Sequence, residues 1–541
     1  MVLYTDLLRP RSQGEPLSAA QVENNAGGYV FAVDAWTRLD RFLVLGTDAP
    51  TYYQSARELT RGAAGAVESA YALDAGRTVA RIVEVSRSGR APRNAPALFA
   101  LALGAVNERE ATRRLALDAL PHVARTASHL FEFVALARGL GKGWGRAMKR
   151  AVGAWYESRD VDALAFQAVK YRARHGYDHA RLIKVTHPRA EGDEGRAQLH
   201  RWMIGKPAEP LPAIVRAHER AMVCEDTSEW VRLVKEHALP WEALPTAAAR
   251  EGAVWRAMLP TMGLTALLRN LGNMTRTGAL APLSEAEALV VERLGDREAM
   301  RRARVHPFAL LQALAVYRSG QGMRGAGTWE PVAGVVAALD DAFHAAFAAV
   351  EPTGLRHMLA LDVSGSMGAQ LMGSPVTARE GAAAMALAQL GAGDPCHVVG
   401  FTALPRGRLR GDTVLTPLPV TRGQRLGDAV AAVSGLPFGA TDCALPMLHA
   451  LERKIPVDVF VVYTDNETWA GAVHPAEALR RYRERTGIAA KLVVVAMTAT
   501  DFSIADPADG GMLDVVGFDA AAPAVIADFV REGAIGEGVR G

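Results

Sequence analysis

No stretch of the 541 residues approaches the ~18 consecutive apolar positions that a membrane-spanning helix needs. The opening MVLYTDLLRP lacks the basic segment and apolar core of a secretory leader, so the expected compartment is the cytoplasm, with no membrane partner. Cysteine is scarce as well. Cys224, Cys396 and Cys443 are an odd number, far apart and without a CxxC pair, which argues against a structural zinc site or redox motif and predicts reduced thiols. Catalytic signatures are missing too: Gly141-Lys142 and Gly205-Lys206 lack the Ser or Thr that completes a phosphate loop, and no GxSxG or HExxH occurs. What remains is half apolar and 22% charged, the balance of a folded soluble protein, which excludes a disordered tail or a fibre.

The formal charge of +3 argues, taken alone, against a polyanion ligand. Its distribution does not. Residues 351–541 carry 16 Lys and Arg against 21 Asp and Glu, a net −5, which leaves 45 against 37, a net +8, for residues 1–350. The basic excess is nearly all arginine, whose planar fork of donors matches phosphate and stacks on bases, although GC-rich coding also enriches arginine.

Length alone suggests about three or four domains at roughly 150 residues each. The apolar pattern suggests two. From about Trp36 to Phe347 the periodicity is helical, broken at Gly46, Gly89, Pro96, Pro121, Gly141, Gly176, Pro188, Pro240, Pro260, Gly278 and Pro307 into helices of a dozen or so residues. Such a succession is too long for one bundle core and predicts stacked helix pairs of the solenoid kind. After Pro352 short apolar runs alternate with amphipathic helices. Strands are expected at 357–363, 396–402, 457–464 and 491–498, and helices at 377–390, 442–453, 475–485 and 522–531: a doubly wound α/β domain that binds ligands at its carboxyl strand ends. The predicted division is 1–350, helical, and 351–541, α/β.

The first of those strands runs into Asp362-Val363-Ser364-Gly365-Ser366. A carboxylate and two hydroxyls on a tight glycine-containing turn can converge on one hard cation, and magnesium suits such oxygens. Alone, a DxSxS segment reads as a turn or helix cap. Thr441, in GATD before a helix, and Asp465, ending VDVFVVYTD, approach the same edge of the sheet. Together the five residues resemble the metal-ion-dependent adhesion site of von Willebrand factor A domains. In that family the serines and threonine ligate the ion, the aspartates often act through water, and an acidic ligand from a partner completes the shell. The fold argues for binding and not for catalysis.

Basic side chains gather in the helical half. Lys142, Arg146 and Arg150 fall on one helical face. Lys170 and Arg174 are four apart, with Arg172 between them and Gln167 on the same side. A helix through this segment is expected to stop at Gly176, with Asp178 capping the next and His187 at that helix's end before Pro188. A solvated helix face is the plain alternative for such clusters. Phosphate binding is the other, with Tyr171, Tyr177 and Trp144 free to stack on bases or to pack inside.

The segments AGGYVFAVDAWTRLDRFLVLG (26–46), KYRARHGYDHARLIKVTHP (170–188), LTALLRNLGNMTRTG (264–278) and VHPFALLQALAVYRSGQG (305–322) resemble the Ro autoantigen family, in which a helical TROVE domain precedes an A domain. The resemblance spans nearly the whole chain. It implies a ring of HEAT-like repeats, Y RNA bound on the outer basic surface, and single-stranded 3′ ends of misfolded or unprocessed non-coding RNA in a central hole. It further implies a scaffold, acting as a monomer in RNA quality control, maturation or decay under stress, with any cleavage supplied by a 3′ exoribonuclease. By resemblance, Lys170, Arg174 and His187 match residues implicated in Y RNA contact. The rival expectation is an adaptor whose A domain recruits an acidic protein through its cation.

Overall fold

The computed structural model describes residues 11–46, 56–190, 192–323, 327–347, 351–403, 413–436 and 439–532, so the opening decapeptide lies outside the described residues. The chain divides into two compact units. One comprises residues up to Ala66, Arg90–Pro92 and everything from Phe343; the other comprises Val67–Gly89 and Arg93–Ala342. These bounds differ from the sequence-predicted 1–350 and 351–541. The difference is the amino-terminal segment, which folds with the α/β domain.

That unit is built on a six-stranded sheet in the order Met512–Val516, Lys491–Ala496, Val459–Thr464, His357–Asp362, Cys396–Ala403, Thr413–Pro417. All neighbours are parallel except the last pair, an antiparallel edge that the sequence pattern does not reveal. The central strands His357–Asp362 and Val459–Thr464 are buried at every residue, as unbroken apolar runs require when helices cover both faces. The expected helices appear as Ala378–Gly391, Leu445–Arg453, Pro475–Thr486 and Ala522–Glu532, and an unanticipated one spans Leu426–Ser434.

The amino-terminal segment is tied in by a strand and by a buried arginine. Tyr29–Ala32 pairs antiparallel with Gln21–Glu23 on one side and Phe502–Ser503 on the other. The helix Ala35–Leu45, capped by Asp34, brings in Arg41, whose side chain is wholly buried. Its guanidinium donates to the Thr500 carbonyl at 2.6 Å and the Phe502 carbonyl at 2.8 Å, and pairs with Asp514 at 2.6 Å. These bonds and the ion pair offset the cost of burying the charge, although Nε finds no partner among the described residues.

The second unit is helical, from Ala75–Ser88 through Pro307–Arg318. Successive helices pack chiefly on near neighbours in sequence, the local pattern of stacked repeats. Side-chain caps start many of them: Asp74, Thr126, Asp160, Asp178, Asp193, Asp226, Ser284 and Asp296 each accept from a first-turn backbone N–H. Gly89 ends its helix in the left-handed region, where a side chain is disfavoured. Pro96, Pro121 and Pro307 stand in first helical turns, where a missing N–H costs nothing, so these predicted breaks mark helix starts. One short hairpin, Ala173–Arg174 with Tyr177–Asp178, interrupts the helical pattern. Among the described residues no helix is long and apolar enough to cross a membrane.

Candidate functional site

The sheet reverses direction of growth between the strands ending at Asp362 and Thr464, and a doubly wound fold opens its ligand crevice at such a point. There Asp362, Ser364, Ser366 and Asp465 meet, and the Thr441 carbonyl accepts from the Trp469 N–H at 3.1 Å, beside the loop that follows Asp465. Asp362, Ser364, Ser366, Thr441 and Asp465 are all buried. Asp362 accepts from the Ser364 N–H at 2.9 Å through one carboxylate oxygen and from the Thr464 hydroxyl at 2.7 Å through the other. The Ser364 and Ser366 hydroxyls lie 3.0 Å apart. Asp465 accepts from the Glu467 N–H at 3.1 Å and from the Ser366 side chain. Cys443, a buried free thiol, sits behind the cluster with its sulfur 3.6 Å from the Thr464 hydroxyl; Cys224 and Cys396 are free as well.

The donor chemistry fits a hard divalent cation. Burial, followed by the facing charge of Asp362, pushes Asp465 up to about 7; burial likewise raises Asp362. Two carboxylates enclosed together need a positive charge to ionise together, and the hydroxyls supply the further neutral oxygens that magnesium accepts. Asp362, Ser364, Ser366, Thr441 and Asp465 would hold the ion. Hydroxyl and carboxylate oxygens differ from the Cys and His donors that zinc prefers.

The sequence pattern does not show what supports these residues. Gln13, buried completely, donates to Asp442 at 2.7 Å and to the Val473 carbonyl at 2.8 Å, and accepts from the Thr468 hydroxyl at 2.5 Å. It thereby joins the neighbour of Thr441 to the loop that follows Asp465. Asn24 donates to the Thr468 carbonyl at 2.8 Å, Asn25 to Glu467 at 2.6 Å, and the Ala26 N–H to Glu467 at 3.2 Å. Burial raises Glu467 to about 8. Gly28 passes so close that a β-carbon there would fall 1.9 Å from the Thr468 carbonyl oxygen. The cues in the sequence were the NNAGG and DNET segments, polar and glycine-rich beside apolar strands, but nothing local pairs them.

The basic cluster of the helical unit is arranged differently from its sequence prediction. The helix Val161–Lys170 ends at Lys170, six residues before Gly176. Arg174 lies in the hairpin, whose turn places His175 and Gly176 both at positive φ, so Lys170 and Arg174 do not share a helical face. Gln167 turns instead to the Ala127 N–H at 2.9 Å. Lys142 also leaves the predicted face: the next helix starts at Arg146, and the glycines at 141, 143 and 145 keep Lys142 in a loop. Asp178 caps His179–Thr186 as expected, and His187 ends that helix, exposed and left-handed. Tyr171 and Trp144 are half-buried, and Tyr177 lies under the Arg181 guanidinium at 4.6 Å.

None of Lys142, Arg146, Lys170, Arg172, Arg174 and Lys184 forms an ion pair among the described residues. Some arginines elsewhere on the unit are engaged, as in Arg81–Glu84, Arg114–Asp118, Arg196–Asp193 and Arg232 with Glu229 and Glu236. Arg172, Arg174, Arg146 and Lys184 are exposed. Unpaired cations on one segment create a positive field that paired ones cancel. Behind them the interior is neutral: burial holds His179 down to about 4, its Nδ1 3.1 Å from the Tyr156 hydroxyl, and holds His129 to about 3.

Residues 356–530 match the Ro60 vWA domain, and residues 22–219 and 231–319 match the TROVE domain. Residues 22–66 of the TROVE match thus belong structurally to the α/β unit. The chain is 45% identical to the RNA-binding protein RO60 of Deinococcus radiodurans over 96% of its own length and 97% of the relative's. It is 35% identical to the RNA-binding protein RO60 of Caenorhabditis elegans over 98% and 93%. The crystal structure of the Deinococcus radiodurans RO (RSR) protein superposes with a TM-score of 0.66 at 42% identity, covering 92% of this chain and all of that one. Two domain families in sequence and relatives that match it almost from end to end show that the chain belongs to the Ro60 family.

Proposed function

We propose that this protein binds RNA through the helical unit and serves as a scaffold, not as an enzyme. The observation that carries the reading is the set of unpaired cations at Lys142, Arg146, Lys170, Arg172 and Arg174, in a chain whose relatives are named RNA-binding proteins. Phosphate neutralisation by such a set yields salt-dependent, largely sequence-independent affinity. In its finer form the reading assigns Y RNA to this outer surface, with His187 beside it. Single-stranded 3′ ends of misfolded or precursor RNA would enter the central hole that the family resemblance implies. A 3′ exoribonuclease would supply cleavage during maturation or decay under stress, in the cytoplasm, with this chain a monomer.

Titrating a Y-like stem-loop RNA against Lys170→Ala/Arg174→Ala tests the outer site. Each phosphate contact removed lowers the slope of log affinity against log salt by about 0.7–0.9, so two contacts cost roughly tenfold or more at moderate salt. Unchanged affinity and slope would remove the assignment. RNA incubated with the protein and magnesium stays intact on this reading; turnover lost with the metal site would overturn it.

The oxygen cluster favours a second, compatible reading, in which magnesium at Asp362, Ser364, Ser366, Thr441 and Asp465 recruits an acidic protein ligand. A copurifying partner retained in excess EDTA and by Asp362→Ala excludes that role for the cation.

A further inference from the structure

The residues of the oxygen cluster lie beneath the surface. Asp362, Ser364, Ser366, Thr441 and Asp465 are each at most 4% exposed, so a ligand of the cation must reach it with a slender group on a stem, as an aspartate or glutamate side chain does. The rest of that ligand stays outside. What it meets there is set by the loop that follows Asp465, and on this loop Trp469 is 37% exposed. Of the described tryptophans only Trp469 and Trp241 are exposed, and Trp241 belongs to the helical unit.

Backbone bonds fix this tryptophan against the site. The N–H groups of Trp469 and Ala470 both donate to the Thr441 carbonyl, at 3.1 and 3.0 Å, so the indole is carried beside one of the five residues. The preceding Thr468 is gripped from the other side: its hydroxyl donates to Gln13 and its carbonyl accepts from Asn24. Gly28 runs so close that a β-carbon there would fall 3.0 Å from the Trp469 α-carbon. Single exposed leucines and valines are ordinary on a protein surface. A large aromatic side chain held in water by a backbone with no room to retreat is a pre-organised contact, because little ordering remains to be done when a partner covers it.

We infer that Trp469 is the apolar anchor for the acidic ligand of the cation, a protein segment in which one carboxylate enters the site and a neighbouring large apolar or aromatic side chain seats on the indole. Consecutive α-carbons are about 3.8 Å apart, so a side chain next to the carboxylate stays within reach of the rim that Thr441 and Trp469 share. The inference rests on the second reading above, in which magnesium recruits an acidic protein ligand. It narrows that ligand from any carboxylate to an acidic residue with apolar neighbours; a small free carboxylate would use the cation alone.

The test uses the full chain and three blocked pentapeptides, Gly-Phe-Asp-Phe-Gly, Gly-Ala-Asp-Ala-Gly and Gly-Phe-Asn-Phe-Gly, titrated by NMR in magnesium and in excess EDTA. In magnesium, wild type is expected to hold the phenylalanine-flanked aspartate roughly tenfold more tightly than the alanine-flanked one, a loss typical of removing a tryptophan contact from an interface. Trp469→Ala, which keeps the N–H that donates to the Thr441 carbonyl, is expected to level the two, and Trp469→Phe to keep most of the difference. Equal affinity of wild type for both aspartate peptides, or a phenylalanine preference that survives Trp469→Ala, overturns the anchor and leaves capture by the cation standing. Aspartate peptides that bind equally well in EDTA, an asparagine peptide that binds as tightly as its aspartate counterpart, or no binding of any peptide at millimolar concentration overturns the cation's role as recruiter, and the anchor with it.

Discussion

The two polar centres of this protein are built on opposite plans. At the sheet edge, the side chains of five oxygen-bearing residues are enclosed, and Asp362, Ser364 and Ser366 are hydrogen-bonded to one another or to their immediate surroundings. On the helical unit, the cations stand exposed, or half-buried at Lys142 and Lys170, and without carboxylate partners. An enclosed cluster selects by geometry, since the cavity fixes what can enter. An exposed one selects by charge, and its affinity follows the ionic strength.

Asp362→Ala gives the largest expected break in this contrast. It strands the Ser364 N–H and the Thr464 hydroxyl in the interior, at about 2–4 kcal/mol. Magnesium is expected to raise the melting temperature of wild type by a few degrees and to leave the variant's unmoved. A variant that still responds would show that the cation binds elsewhere.

Acid probes the other centre from behind. The folded pKa of His179, about 4, lies below the ordinary 6.5, so the unfolded chain takes up its proton first. Stability from this residue is complete above pH 6.5 and is lost as pH falls toward 4, by roughly 2 kcal/mol between pH 7 and 5; His129, at about 3, acts in the same direction. Urea midpoints at the two pH values measure the loss, and identical midpoints would contradict the buried neutral imidazoles.

Gln13→Ala is expected to cost about 1–3 kcal/mol, because Asp442 and the Val473 carbonyl lose a buried donor. It should also weaken the magnesium-induced rise in melting temperature without abolishing it. A full response would mean that the amino-terminal segment stabilises the loop without shaping the site. Smallest of all, Arg172→Ala and Arg174→Ala, at exposed and unpaired positions, are expected to shift stability by less than about 0.5 kcal/mol while altering RNA affinity. A larger loss of stability would make the basic segment part of the framework.

The contrast also governs what could be read from the sequence. Asp362, Ser364 and Ser366 follow a buried strand directly, so their place at the carboxyl edge follows from the pattern of that strand; Thr441 and Asp465 stand in equally local contexts. Their support was hidden because it is not local. Gln13 meets Asp442 across 429 residues, and no periodicity links them. Arg174 was misplaced for the reverse reason: a four-residue spacing outweighed the His175-Gly176 turn, which calls for two positive φ angles and ends helical geometry. Glycines at 141, 143 and 145 carried the same warning for Lys142. The edge strand Thr413–Pro417 gave little signal, since edges need neither apolar runs nor uninterrupted donors.

The segment around Gln13 and Arg41 bears finally on how the protein is made. Its pairing partners, Asp442, Thr468, Phe502 and Asp514, leave the ribosome more than 400 residues later. The helical unit, with its contacts between sequence neighbours, can settle while synthesis continues. The amino-terminal strand and the buried arginine of the helix after it must wait for the α/β sheet to emerge, and the loop after Asp465 reaches its final support only when the two ends of the described chain meet.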